Sequence, residues 1–301
     1  MHLRAVVCSV GRPEELRTSL VAVRGQTRLP NDVLVVAQSW DTATHAVARE
    51  LADTLVLVER PGLAHAVQVA IDGPGTDACA FVDDDARAHP DWLERIEAHL
   101  QDPDVGAVGG RDNVGGDRVA GSPALLVGTI DRWGRIHGNH HLGLGPSRTV
   151  HTMKGANMTV RREAAVRSGL GDLVVGPAAQ RGNELVLASV IRSRGFKVVY
   201  DPAIMVDHFP SMRIVGDDRD NFVRERVAFN VANELTALSI SEPFATRALH
   251  LGRTVARGTR DNPGLAVAVV SQLAGDSSAW TRFCGTLDGV ALFRRMKAER
   301  R

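Results

Sequence analysis

Over its first hundred residues the chain alternates short apolar runs with amphipathic stretches, and this alternation restricts the fold more than any other feature. Leu3 to Val10, Asp32 to Ala37, Thr54 to Val58 and Ala78 to Val82 read as buried strands. Between them, a segment starting near Pro13 and Glu14 carries Leu16, Leu20 and Val23 at helical spacing, and Ala43 to Leu51 and Gly62 to Ile71 read as further helices. Regular strand and helix alternation predicts the α/β class, with a mostly parallel sheet flanked by helices on both faces. Ligands bind such sheets outside the carboxyl ends of the strands.

The fourth strand ends in three consecutive carboxylates, Asp83, Asp84 and Asp85. Adjacent carboxylates repel one another, and a divalent cation with oxygen ligands relieves that repulsion most directly. In extended backbone Asp83 and Asp85 point to one side and Asp84 to the other, so the outer pair is the metal and phosphate candidate. Aspartate ahead of a helix is also a common cap, and the motif by itself leaves both roles open.

Other nucleotide signals are absent. After the first strand the chain reads SVGRPEEL, with one glycine where a dinucleotide fingerprint needs three, and no phosphate-loop lysine motif occurs. A net charge of +1 gives no field to recruit nucleic acid. Cys8, Cys79 and Cys284 are odd in number and share no ligand-like spacing, which argues against a disulfide framework and for a cytoplasmic setting. No apolar run approaches the roughly twenty residues needed to span a bilayer, and no secretion signal opens the chain.

Three later stretches carry polar residues of interest. From Gly109 to Ser147 the periodicity fails and Gly, Asn, His and Asp accumulate, which reads as a long irregular segment. Within it His137, His140 and His141 are read as solvated loop histidines rather than metal ligands, and Trp133 as a sugar-stacking or loop-anchoring aromatic. Gly155 and Asn157 lie between two strand-like pieces, as a tight feature near a site or a plain turn. Gly182 to Gly195 reads as a helix with Glu184 in its first turn, where a carboxylate either complements the helix dipole or serves as a general base. Lys197 to Tyr200 and Ile204 to Val206 read as strands, the second ending at Asp207 and His208.

Taken in order, VVCSVGRPEELRTSLVAVRGQT, FVDDDARAHPDWLERI, KGANMTVRREA and NELVLASVIRSRGFKVVYDPAIMVDH resemble the family-2 inverting glycosyltransferases of the GT-A fold, over residues 5 to 208. The resemblance implies a GT-A catalytic domain over residues 1–210, with a nucleotide-sugar half to about 110 and an acceptor half after it. It implies a nucleoside diphosphate sugar facing Ser9, Arg12, Gln38, Asp83, Asp84, Asp85 and Asn157. Mg²⁺ or Mn²⁺ would be held by Asp83, Asp85 and His208, with Glu184 in the base position. The acceptor would be a glycan, a lipid-linked intermediate or a small molecule. Where the family often has an acid that reads a uracil edge, this chain has Gln38, which both donates and accepts. The base is Glu where Asp is commoner, and no processive-synthase motif follows.

Residues 211–301 are expected to form a helical extension, with helices over Asn221 to Leu238 and Phe244 to Gly258 and an apolar piece from Pro263 to Leu273. Arg213, Arg219, Arg224 and Arg226 either clasp anionic substrate or form a solvated basic face, the latter being preferred. The extension is read as packing on the catalytic domain or forming a homodimer, with peripheral contact to anionic lipid as the alternative. The rival functions are a sugar-phosphate nucleotidylyltransferase, whose glycine-rich basic loop is missing, and a non-catalytic sugar-binding scaffold.

Overall fold

The computed structural model describes residues 1–116, 120–177, 180–210, 223–258, 262–275 and 278–300. The first half alternates as expected: β1 (Leu3–Ser9), α1 (Pro13–Arg24), β2 (Asp32–Gln38), α2 (Thr42–Leu51), β3 (Thr54–Val58), α3 (Leu63–Asp72) and β4 (Ala78–Val82). A short β5 (Ala86–Ala88) and α4 (Trp92–Leu100) follow the acidic cluster. Then come β6 (Val105–Val114), the two-residue β7 (Thr129–Ile130) and β8 (Ile136–His137), β9 (Arg148–Val150) and β10 (Asn157–Arg161). The single-turn α5 (Arg162–Ala165) and α6 (Leu170–Leu173) lead to α7 (Asn183–Ser193) and β11 (Lys197–His208). The chain finishes with α8 (Val223–Ser241), α9 (Phe244–Ala256), α10 (Leu265–Leu273) and α11 (Ser278–Glu299).

The main sheet runs β3-β2-β1-β4-β10-β6-β11-β5, with β9 beside β11. β3, β2, β1 and β4 are parallel, β10 lies antiparallel between β4 and β6, and β6 and β11 are parallel to each other. Period-two alternation sorts each central strand between two cores. Val6, Leu34, Val36 and Phe81 pack toward α3 and α7, and Ala5, Val7, Val33 and Val35 toward α1 and α4. Leu16, Leu20 and Val23 of α1 are fully buried, each contributing about 1.5–3 kcal/mol.

Two expectations need correction. The segment from Gly109 does not begin as irregular structure, because β6 continues to Val114 and is buried through Asn113. Glycine inside a strand marks close approach of another backbone, and a Cβ at Gly110 would overlap the Ile204 carbonyl oxygen of β11. The two strands expected over Lys197 to Val206 are one strand, β11, whose pairing with β6 is irregular between Asp201 and Met205.

Of the C-terminal helices, α8 packs on α7, α9 and α11 pack on α8 and on each other, and α10 packs on α9 and α11. Ala237 and Leu238 of α8 join the core beneath α7, and the buried Asn233 amide bonds Val175 N, Val175 O and Arg181 O, each at 2.9 Å. This ties α8 to the segment leading into α7. Gly289 lets α11 close on α8, since a Cβ there would lie 2.6 Å from the Ala228 carbonyl oxygen. The expected helix start at Asn221 lies outside the described residues.

Candidate active site

The three aspartates leave the end of β4 in a tight turn, closed by Ala86 N donating to Asp83 O at 3.1 Å, rather than in the extended backbone expected. The cap reading does not hold for them either, because α4 starts only at Trp92. Asp84 turns inward and is fully buried, accepting from Ser9 Oγ at 2.7 Å and from Arg12 Nε at 3.1 Å and Nη2. Burial pushes its carboxyl up, while the Arg12 charge and the Ser9 hydroxyl work against that. Arg12 also donates Nη1 to Asp85 Oδ2 at 2.6 Å. The Asp41 carboxylate holds the loop that carries Arg12, by accepting from Gly11 N at 2.6 Å and capping α2 at Thr44 N.

Asp83 and Asp85 converge all the same, through the turn and not through strand alternation, and meet His208 from the end of β11. One ligand atom from each of Asp83, Asp85 and His208 lies within 4.8 Å of the others. Phe209 N donates to Asp85 O at 2.8 Å, and β11 pairs with β5 through His208 and Ala86, so the two strand ends are fastened together. Two carboxylates and an imidazole form a mixed oxygen and nitrogen donor set that suits a small divalent cation such as Mg²⁺ or Mn²⁺, so the residues fit the expected metal.

Behind His208 stands Asp112 of β6, which sequence reasoning missed. Its carboxylate is closed to solvent, with Oδ2 3.8 Å from His208 Nδ1 and 3.4 Å from Lys154 Nζ. On the other side, His208 Nε2 lies 3.2 Å from Asp85 Oδ1. Burial alone would depress the imidazole, but Asp112, Asp85 and the charge of Asp83 outweigh it and lift His208 to about 9. Burial alone would raise Asp112, and His208 with Lys154 instead hold it below the ordinary carboxylate range. The one available signal was the polar Asp112 and Asn113 ending an otherwise apolar and glycine run.

Glu184 sits in the first turn of α7 behind Gly182, which has φ 91° and offers no capping side chain. Its carboxylate accepts from its own backbone amide, burial pushes it up, and the Lys154 and Arg181 charges oppose the rise. Asn183 next to it lines one cleft together with Asp83, Cys8, Leu63 and Gly155. Glu184 itself does not line that cleft, though it lies near enough to Asp83 to feel its charge.

Other expected ligands are placed differently. Ser9, Arg12 and Asp84 bond one another beneath the opening, so they support Asp83 and Asp85 from below rather than face a ligand as expected. Asn157 is buried between strands: its amide accepts from Trp92 Nε1 at 2.9 Å and donates to Arg111 O at 3.1 Å and Ile204 O at 3.0 Å. That corrects its reading as a ligand residue, since its hydrogen-bonding capacity goes into locking β10 to β6 and β11. Gln38 ends β2 half-buried, its Nε2 3.5 Å from Arg60 O. His140 is not solvated but buried, bonded to Thr152 O and set edge-on to Tyr200, while His137 pairs with Asp131. Arg224 pairs with Asp288 of α11, and Arg213 and Arg219 lie outside the described residues. The cysteines are free, and among the described residues no helix is long and apolar enough to cross a membrane.

A mostly parallel, mixed sheet between helices, with an acidic cluster where its fourth strand ends, defines an α/β protein with a candidate site at its strand ends. The sequence matches the glycosyl transferase family 2 profile over residues 5–167, more than half of the chain, and the protein belongs to that family. It is 25% identical over 224 residues to the glucosyl-dolichyl phosphate glucuronosyltransferase of Haloferax volcanii, covering 69% of each chain. Among solved structures it is similar to the mannosyltransferase PcManGT from Pyrobaculum calidifontis, in complex with GDP-Man and Mn²⁺, at TM-score 0.53 and 18% identity, over 97% of this chain and 87% of that one. It is also similar to GalNAc-T7 with UDP, GalNAc and Mn²⁺, at TM-score 0.57 and 13% identity, over 93% of this chain and 56% of that one. These likenesses establish the GT-A fold, and the family establishes a glycosyltransferase.

Proposed function

We propose that this enzyme moves a sugar from a nucleoside diphosphate donor to an acceptor hydroxyl with inversion, in a non-processive, metal-assisted reaction. The observation that carries the reading is the meeting of Asp83, Asp85 and His208 within 4.8 Å at the strand ends. When bound there, Mg²⁺ or Mn²⁺ would neutralise charge on the leaving diphosphate. Asp83 and Asp85 hold the donor's diphosphate end in register with the strand ends, and the Arg12 and Asp84 pair beneath keeps the two carboxylates from splaying. Glu184 accepts the acceptor's proton from the opposite side, and its raised pKa brings the base closer to working pH. Residues 1–210 form the catalytic domain in this reading.

The acceptor is most simply lipid-linked or a glycan, supported by the dolichyl phosphate substrate in the name of the Haloferax volcanii relative. A thermal-shift panel of UDP, GDP, dTDP, ADP and CDP, each with and without Mn²⁺, tests the donor site. A metal-dependent rise in Tm with one nucleotide, lost in Asp85→Ala, is expected. A metal-independent rise, or none with any nucleotide, would overturn the metal-assisted reading.

A further inference from the structure

We propose that α10 is a docking ridge for an anionic membrane surface. Its nine residues, LAVAVVSQL, bury only Ala268. Leu273 is 84% exposed, more than any other large apolar side chain among the described residues, and Val270 is 68% exposed. Leu265, Val267 and Val269 are exposed as well. At 100° per residue these five side chains sweep an arc of about 200° around the helix, opposite Ala268, Ser271 and Gln272.

The shape of that arc selects the occupant. A flat protein face covers one side of a convex ridge and leaves the rest wet, whereas the boundary of headgroups and acyl chains closes around it. At about 14 Å, α10 is too short to span a bilayer and long enough to lie in its interface.

Charge selects the same occupant. Residues 243–301 carry ten arginines and lysines against four carboxylates, while the whole chain has a net charge of only +1. The exposed Arg257 accepts from Gly264 N through its carbonyl at 2.9 Å, immediately before α10 begins. Trp280, 42% exposed, and Arg282 open α11 directly after it. An apolar ridge flanked by arginine and tryptophan meets acyl chains, the headgroup zone and anionic phosphate together. The proposal deepens the lipid-linked acceptor class and rests on that reading for its purpose, but binding itself needs neither donor nor acceptor.

The test is flotation of the full chain with vesicles of phosphatidylcholine alone or of phosphatidylcholine mixed with phosphatidylglycerol, whose negative surface attracts basic segments, without nucleotide or metal. Wild type should float with the anionic vesicles and be released by high salt. Val270→Ser with Leu273→Ser should lower the bound fraction about tenfold. Arg257→Gln with Arg282→Gln should weaken it while leaving the ridge intact. Both double variants should keep the wild-type Tm and nucleotide-induced shift, so a loss of flotation reports the surface and not folding or the active site. Failure of wild type to float overturns the proposal. A dimer in light scattering that the Val270 and Leu273 variant dissociates, without vesicle binding, assigns the ridge to a second copy instead.

Discussion

His208 Nδ1 lies 3.8 Å from the solvent-closed Oδ2 of Asp112, while His208 Nε2 lies 3.2 Å from Asp85 Oδ1. Strand register produces this sandwich. His208 pairs with Val114 and Val206 with Asp112, so Asp112 and His208 are diagonal neighbours on one face of parallel strands. At 3.8 Å the buried Asp112 carboxylate acts on the ring by charge rather than by a hydrogen bond, favouring the orientation that turns Nε2 toward Asp85.

Asp112→Asn should therefore weaken Mn²⁺ binding about 10–100-fold, measured by electron paramagnetic resonance with nucleotide present. An unchanged Mn²⁺ affinity would show that Asp112 serves packing alone.

Glu184→Gln should lower transfer by about 10²–10⁴-fold and leave donor Kd nearly unchanged. The wild-type rate should rise with pH, because a base acts deprotonated and burial raises the Glu184 carboxyl above its ordinary value of about 4.3. A pH–rate profile with no limb above that value would remove Glu184 from the proton transfer.

Arg12→Ala leaves the buried Asp84 carboxylate without its ion pair and should cost about 3–5 kcal/mol in urea unfolding. Arg12→Lys should recover only part of this, since an ammonium cannot reproduce the fork that reaches Asp84 and Asp85 together. Full recovery by lysine would show that charge alone matters here.

Asn157→Ala strands Trp92 Nε1, Arg111 O and Ile204 O inside the sheet and should destabilise by about 3 kcal/mol or more. Nucleotide affinity of the folded fraction should stay within about twofold, since less than 1 kcal/mol of contact would be lost. A selective loss of nucleotide binding would restore the ligand role.

Asp201 is held below the usual carboxylate range by a 2.8 Å hydrogen bond with His99, despite burial. A depressed folded-state pKa adds stability above the unfolded value of about 3.9, which is lost as pH falls through the folded pKa. His99→Gln should thus move the midpoint of acid unfolding to higher pH. An unmoved midpoint would show that the pair adds nothing to the linkage.

The order of the amino acids alone carries the α/β class, because the apolar runs of β1 to β4 and the faces of their flanking helices are local patterns, even though β3 lies at the sheet's edge. It also marked Asp83 and Asp85, since an acidic cluster directly after an apolar strand is a local pattern, although a turn and not period two brings the two to one side. Glu184 was legible for the same reason, as a carboxylate in the first turn of a helix with a clear stop at Gly195. The partners of these side chains come from long-range packing. Asp112 was hidden because Gly109 and Gly110 broke the apolar pattern of β6, and at Gly110 the Ile204 carbonyl of β11 approaches too closely for a Cβ. Asn157 and Arg12 looked like ligands until packing showed where their hydrogen bonds go. A polar side chain's role depends on which long-range neighbours satisfy it, and strand register, which no local pattern encodes, chooses those neighbours.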